Sequence, residues 1–403
     1  MIGKINKFFL CVINFPIYCF SLLVPRKSNI WVFGAWFGEK YSDNSKYLFE
    51  YVNQHHNNIQ CIWLSRDRDT VSQLKIRGYE SYYTYSLRAY WLSLRAKVGV
   101  VTTGFRDINP YLLKDMTIAQ LWHGTPLKKI MHDDKIYFKE PNKIIRIMFP
   151  FIRHETNHGN QMFIAASEEV QKKISSAFRV NSEHVAITGY PRTDIFFSEK
   201  KEEYPVKKRL IKLKQTGHKI GMYMPTHRNA GKTDITQKLF INIEQLNQFL
   251  REKKIILCVK LHYYHTKESI SRKAHSEFTN LFFIDDHAIN HDIYALLPET
   301  DFLVTDYSSV FFDYLLLNKP IIFTPFDYQE YLQNDRELYY AYDSVTPGPK
   351  AYDWAETMNF IEDAVNSPET FEKEREKVSS IFCAHRDGQN SKRVYEAIID
   401  RLS

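Results

Sequence analysis

Disulfide chemistry is the first thing this sequence is poorly equipped for. Its five cysteines (Cys11, Cys19, Cys61, Cys258, Cys383) lie far apart and form neither a C-x-x-C pair nor an even framework. Thiols in this arrangement predict a reducing compartment. Also missing are a G-x-x-x-x-G-K-[ST] loop and a convincing G-x-G-x-x-G turn, so P-loop and dinucleotide readings lack their phosphate cradle. The chain shows no internal repeat and no low-complexity tract. No DNA- or RNA-binding signature accompanies its basic residues, so nucleic acid is not an expected partner.

What is present is a large, basic, aromatic-rich chain. Its 403 residues, 44% hydrophobic and 15% aromatic, supply core enough for two domains. The formal charge of 54 − 47 = +7 suits anionic partners such as nucleotides, phosphate polymers or a membrane face.

The first apolar run, FFLCVINFPIYCFSLLV at 8–24, is flanked by Lys4 and Lys7 and by Arg26 and Lys27. It is barely long enough to span a bilayer, and Asn14, Pro16 and Ser21 interrupt it. No small-residue cleavage site follows, which argues against a removed signal peptide. The reading is that residues 1–28 form a membrane-associating segment, inserted shallowly and held by its basic flanks. A buried first helix is the alternative.

From residue 29, short β-branched or aromatic runs alternate with helical patterns. Strands are expected at 29–34, 59–64, 97–102, 117–122, 162–167 and 185–190, then at 219–224, 255–261, 281–285, 301–306 and 320–324. Helices are expected near 44–54, 69–77, 86–95, 168–178, 236–253, 309–317, 355–366, 370–380 and 391–402. Alternation of this kind predicts α/β architecture with parallel sheets covered on both faces. The charged stretch around 198–219 separates two series. The expected organisation is a doubly wound domain at 29–200, an interdomain region at 201–218, a second doubly wound domain at 219–380 and a C-terminal helix at 381–403, the two domains facing each other.

Parallel α/β sheets bind ligands beyond the carboxyl ends of their strands. Five polar clusters pass that filter: LWHGTP (121–126), ITGYPRTD (187–194), YMPTHR (223–228), VKLHYYH (259–265) and VTDYSS (304–309). In the last, Ser308 and Ser309 open a helix, where a serine either caps orphan amides or helps them seat a phosphate. Thr226, Arg228, Lys260 and His262 add phosphate-compatible groups, since a guanidinium grips phosphate with two prongs and an imidazole can hydrogen-bond a leaving oxygen. Together they point to a nucleoside diphosphate donor. His123, delivered by its strand with Gly124 and Pro126 behind it, suits a general base for an attacking hydroxyl.

These strings resemble the CDP-glycerol glycerophosphotransferase family of teichoic acid primases, polymerases and related capsule enzymes. The resemblance runs through NIWVFGAWFGEKYSDNSKYLFEY, WHGTPLK, GYPRTD, MPTHR, KLH, TDYSSVFFD, KPIIFTPFD, PGP (347–349) and HRDGQNSKRV (385–394). It implies a GT-B-like pair of Rossmann-like domains, acceptor-side at 29–200 and nucleotide-donor at 219–380, with an inter-domain cleft, and transfer of glycerol phosphate or another polyol phosphate from a CDP-linked donor with release of CMP. It implies a lipid-linked or polyanionic acceptor and a peripheral place on the cytoplasmic face of a bacterial membrane. By it, His123 matches the base, His262 joins it as a catalytic residue, and Thr226, Arg228, Ser308, Ser309 and Asp313 match donor-binding positions. Gly189, Pro191 and Arg192 of the GYPR turn go with them.

Tyr263 stands where the family usually has proline after KLH, and Met131 where WHGTPLK commonly leads to glycine. Both departures bear on acceptor identity and loop shape. Neither a cofactor nor a metal is expected, because these donors can neutralise a diphosphate; Asp133–Asp134 and Asp285–Asp286 read as solvated surface. The basic stretch from Lys128 to Arg153 around IIRIMFPFI reads equally as a buried helix edge or a lipid-contacting segment. Two rivals remain. A nucleotide-sugar glycosyltransferase could share the architecture, and a non-catalytic basic lipid- or nucleic-acid-binding protein could share the charge. The second leaves His123 and the strand-end clusters without a role.

Overall fold

The computed structural model describes residues 16, 19–21, 23–134, 161–198, 205–226, 243–260, 279–284, 293–334 and 337–403. They divide into two compact units: unit 1 comprises Met1–His123, Phe138–Asp194 and Asp387–Ser403, and unit 2 comprises Gly124–Tyr137 and Ile195–Arg386. The boundaries differ from a contiguous reading in three places. The chain changes unit between His123 and Gly124, the expected interdomain stretch contributes a helix to unit 2, and the C-terminal residues return to unit 1.

Unit 1 is built on seven strands: β1 (Lys27–Phe33), β2 (Gln60–Ser65), β3 (Ser81–Tyr83), β4 (Ala96–Val101), β5 (Thr117–Gln120), β6 (Gln161–Ala165) and β7 (Val185–Ile187). Their order is β3-β2-β1-β4-β5-β6-β7, and every pair is parallel. Helices α1 (Asp43–His55), α2 (Arg68–Ile76), α3 (Leu87–Arg95) and α4 (Glu168–Phe178) lie between strands. The buried half of β1, residues 30–33, shows why its sequence there is apolar at every position. Ile30 and Val32 share a core with Ala89 and Leu92 of α3, while Phe33 meets Phe49 of α1 edge-on at 5.2 Å and Trp31 stacks on Tyr395. Alternate side chains point to opposite faces, and a strand covered on both must be apolar at every position.

The C-terminal helix, Asn390–Leu402, belongs to this unit. The Asp194 carboxylate accepts from the amides of Asn390 (2.8 Å) and Ser391 (2.7 Å), satisfying donors that a helix start leaves open. Gly189, at φ +74°, gives way to the same residue, since a Cβ there would meet Asn390 Oδ1 at 2.3 Å.

Unit 2 carries five parallel strands, β8 (Lys219–Met224), β9 (Ile255–Val259), β10 (Leu281–Phe283), β11 (Phe302–Thr305) and β12 (Ile321–Phe323), in the order β10-β9-β8-β11-β12. Around them run α5 (Pro205–Gln215), α6 (Ile243–Glu252), α7 (Val310–Tyr314), α8 (Trp354–Asn366) and α9 (Glu372–Phe382). Ile255, Leu257 and Val259 of β9 pack with Leu246 and Leu250 of α6 and with Trp354, Met358 and Ile361 of α8. In both sheets the strand order reverses once, between β1 and β4 and between β8 and β11, and ligands of such sheets sit beyond the carboxyl ends at that reversal.

Most of the apolar segment at 8–24, and the basic stretch beyond Asp134, lie outside the described residues. Among the described residues no helix is long and apolar enough to cross a membrane.

Candidate functional site

At the reversal of unit 1, the turn after β1 and the loop after β4 are locked together by one carboxylate. Asp107, fully buried, accepts from the amides of Phe37 (2.7 Å), Thr102 (2.7 Å) and Thr103 (2.7 Å). Gly34 makes the approach possible, because a Cβ there would lie 2.0 Å from the Asp107 carbonyl. The result is a rigid rim beside the next strand, β5, whose chain continues into His123.

His123 is held by its main chain as well as by a hydrogen bond from its ring to the Thr102 backbone carbonyl. Arg192 donates from Nη1 to Asp43 Oδ1 at 2.8 Å and to the His123 carbonyl at 3.0 Å. Asn44 donates to the Trp122 carbonyl at 2.9 Å and accepts from the Arg192 amide at 3.1 Å. Asp43, its other oxygen taken by Trp36 Nε1 at 3.1 Å, and Arg192 expose only 6% and 4% of their side chains. A pair so enclosed keeps its charges only through this hydrogen bonding.

The ring itself lies between Trp122 (centroids 4.1 Å apart) and Trp36 (5.6 Å). Its Nδ1 is buried with no hydrogen-bond partner among the described residues. Burial lowers the His123 pKa below its ordinary value; Asp43 opposes that shift and Arg192 adds to it. A neutral imidazole with a lone pair to spare is what a general base requires. The surrounding backbone is unusual too. Of nine described non-glycine residues with positive φ, Trp36 (48°), Phe37 (60°), Asp43 (63°) and Trp122 (53°) lie in the loops around this histidine. Each such conformation costs roughly 1–3 kcal/mol and persists only where its surroundings enforce it.

Unit 2 has its own polar constellation at its reversal. Asp306, 2% exposed, accepts from the Thr226 amide at 2.7 Å and from the Tyr307 amide, binding the end of β8 to the end of β11. Ser308 and Ser309 follow, both half-buried. Ser309 occupies the N-cap of α7 but makes no side-chain capping bond, and neither hydroxyl has a partner among the described residues. The capping alternative thus does not account for these serines. α7 itself runs only from Val310 to Tyr314 before tightening into a 3-10 turn, so hydroxyls and local amides matter here more than a long helix dipole. Asp313, one turn on, is buried and accepts from Tyr294 Oη at 2.7 Å.

Thr226, Ser308, Ser309 and Asp313 are thereby brought into one unit. Gly189, Pro191 and Arg192 belong to the other, buried against Asn390, Asp43 and His123. In unit 1, Arg192 supports the His123 loop. Arg228, His262 and the pair Asp285–Asp286 lie outside the described residues. Asp133 accepts from Tyr339 Oη at 2.6 Å and Asp134 is buried, so these two are not the solvated surface expected of them. Among the described residues no group of three or more His, Cys, Asp or Glu is arranged to hold a metal. Asp43 and Asn44 were not singled out from the sequence, although they lie inside the quoted string YSDNSK. Their signal was a polar pair opening an amphipathic helix, which reads locally as a helix start.

The comparisons with known proteins bear on the family and the fold. The sequence profile of CDP-glycerol:poly(glycerophosphate) glycerophosphotransferases matches residues 17–400. The chain is similar to a teichoic acid poly(glycerol phosphate) polymerase of Bacillus spizizenii, 28% identical over 94% of this chain and 93% of that one. It is also similar to a teichoic acid glycerol-phosphate transferase of Staphylococcus aureus, 29% identical over 94% and 95%. Among solved structures, the wall teichoic acid polymerase TagF superposes with a TM-score of 0.75 at 22% identity, covering 100% of both chains, and so shares the GT-B-like fold of paired Rossmann-like sheets. With a matching profile over nearly its whole length, this chain belongs to the CDP-glycerol:poly(glycerophosphate) glycerophosphotransferase family.

Proposed function

We propose that the protein transfers a polyol phosphate, glycerol phosphate in the first instance, from a CDP-linked donor to a hydroxyl of a teichoic acid-type acceptor. The observation that carries the role of His123 is its support: a buried Arg192–Asp43 pair and Asn44 fix the backbone of a neutral imidazole at the carboxyl edge of a parallel sheet. In the step itself, His123 takes the proton of the acceptor hydroxyl. Its oxygen forms a bond to the phosphorus bearing the polyol, and the electron pair of the broken phosphoanhydride bond leaves on CMP. Thr226, Ser308 and Ser309 supply hydrogen bonds to the donor diphosphate. Arg228 and His262, assigned by their family positions, meet the charge that develops on the leaving phosphate. Asp313 keeps the seryl turn in place through Tyr294.

Arg192 enters as a positioning residue rather than a donor contact, because its guanidinium is spent inside unit 1. The donor charge is met by these side chains without a metal ion, and a chelator therefore leaves turnover unchanged. The basic flanks of the apolar segment at 8–24 support a peripheral, cytoplasmic-face attachment to an anionic membrane and a lipid-linked acceptor.

The test is nucleotide release. Purified protein is incubated with CDP-glycerol, CDP-ribitol or a UDP-sugar, each with lipid-linked and glycerol phosphate-primed acceptors, and products are read by mass spectrometry. CMP release coupled to a one-unit mass gain supports the reading. Release of UDP with sugar transfer, or no turnover with any pair, overturns it.

A further inference from the structure

Beside the His123 loop, unit 1 carries a cationic and aromatic surface that the step above does not use. Gly38, at φ +80°, lies at its centre, where a Cβ would meet Arg66 Cγ at 3.2 Å and the Arg106 carbonyl at 3.5 Å. The Gly38 carbonyl is pinned to the end of β2 by Ser65 Oγ (2.8 Å) and the Arg66 amide (2.6 Å). The Arg66 side chain and the Arg106 backbone therefore meet around one turn.

Neither guanidinium meets a hydrogen-bond acceptor or a carboxylate among the described residues. Among the described residues, Arg66 donates no side-chain hydrogen bond and meets no carboxylate within ion-pair reach; its Nε is buried without a partner, and its charge faces only the Tyr85 ring at 5.5 Å. Arg106 is exposed and equally unpaired. The nearby carboxylates do not neutralise them. Asp107 is consumed by the Phe37, Thr102 and Thr103 amides, Asp67 caps α2 through Thr70, and Glu39 is exposed. Lys40 adds a third cation, 5.9 Å from the Trp36 ring, and the Phe37 ring is 49% exposed. Trp36 links this surface to the reaction centre through its contact with His123 at 5.6 Å.

A half-buried guanidinium left without an anion is poised for one from outside, and a phosphodiester fits its two-pronged geometry. Phe37, exposed and one residue before Gly38, offers a face for the carbon backbone of a polyol. We propose that Arg66, Arg106 and Lys40, with Phe37 as platform, form a subsite for a phosphodiester of the acceptor chain, upstream of the hydroxyl presented to His123. This rests on the reading of His123 as the acceptor's base. It makes the acceptor preference electrostatic: chains already carrying polyol phosphate units are held more tightly than acceptors with none.

The experiment titrates the full-length protein, Arg66→Gln and Arg106→Gln with synthetic glycerol phosphate oligomers of defined length by calorimetry, without donor, at two salt concentrations. The acceptor KM and donor KM are then measured by CMP release. Each substitution is expected to weaken oligomer binding by about tenfold, the loss of one charge-assisted contact, and to flatten the salt dependence. The acceptor KM rises in parallel while the donor KM stays at its wild-type value, and binding of a phosphate-free acceptor is unaffected. Oligomer affinity equal to wild type in both variants overturns the subsite even where CMP release is normal. Equal weakening for charged and phosphate-free acceptors also overturns it. Arginine-dependent oligomer binding by a protein that releases CMP from no donor supports the subsite and sinks the transferase reading alone.

Discussion

Arg192 and His123, 69 positions apart, are joined through a single hydrogen bond from Nη1 to the histidine carbonyl, made by the same nitrogen that pairs with Asp43. The guanidinium thus sets where the imidazole stands without touching it. Replacing Arg192 by lysine keeps the charge and loses the fork. The expected outcome is folded enzyme with a turnover drop on the order of 10–100-fold, as for other small displacements of a reacting group, and an unchanged donor KM. Arg192→Met strands the Asp43 carboxylate and should destabilise by about 3–5 kcal/mol, read from a denaturation curve. A raised donor KM in Arg192→Lys would return this residue to the donor site.

His123→Ala should fold, bind CDP-glycerol and lose most of its chemical step, on the order of 10²–10⁴-fold for removal of a base. Single-turnover CMP release at saturating donor, alongside a melting curve of the same preparation, is the measurement. Near-wild-type chemistry in a folded variant removes His123 from the mechanism.

The pH profile tests the same residue from another side. Burial lowers the His123 pKa, so its base form survives to more acidic pH than a free imidazole would, and the acid limb of kcat/KM falls below the ordinary histidine value. Asp43 raises the His123 pKa. Asp43→Asn removes that influence, lowers the pKa further and should move the acid limb to still lower pH, whatever it does to the maximal rate. A limb that moves upward contradicts the assignment of His123 as the titrating base.

Ser308→Ala and Ser309→Ala remove hydroxyls that cap nothing. Thermal stability should therefore be nearly unchanged, while donor affinity falls by the worth of a hydrogen bond to a charged phosphate, about 1.5–3 kcal/mol. Calorimetric titration with CDP-glycerol checks it. Lost stability with intact donor affinity would mean that the hydroxyls serve the fold.

Much of this was legible because the strands are buried and largely apolar. Six of the seven strands of unit 1 and all five of unit 2 fall within a few residues of their expected spans. β3 was missed, being only Ser81–Tyr83 with one fully buried residue. Helix α5 was hidden in a charged stretch. Its lysines read as a linker, but Val206 and Leu210 face inward and Lys207 is 8% exposed, pairing with Glu299 at 3.4 Å. In the site, His123, Thr226 and the serines could be picked out because strand ends are marked in the sequence. Asp43, Asn44 and the left-handed backbone at Trp36 and Phe37 could not, since their roles arise from contacts as far as 149 positions away.

The return of the C-terminal helix to unit 1 governs how the protein is made. On the ribosome, the strands of the first sheet emerge early, yet the amides that Asp194 accepts from, and the Asn390 side chain that fills the space over Gly189, appear last. Unit 2, by contrast, is complete once Arg386 has emerged. The unit carrying the candidate base is therefore the one finished second, despite coming first in the gene. A chain cut short near residue 386 would carry His123 in a unit that lacks the Asp194 and Gly189 contacts to Asn390.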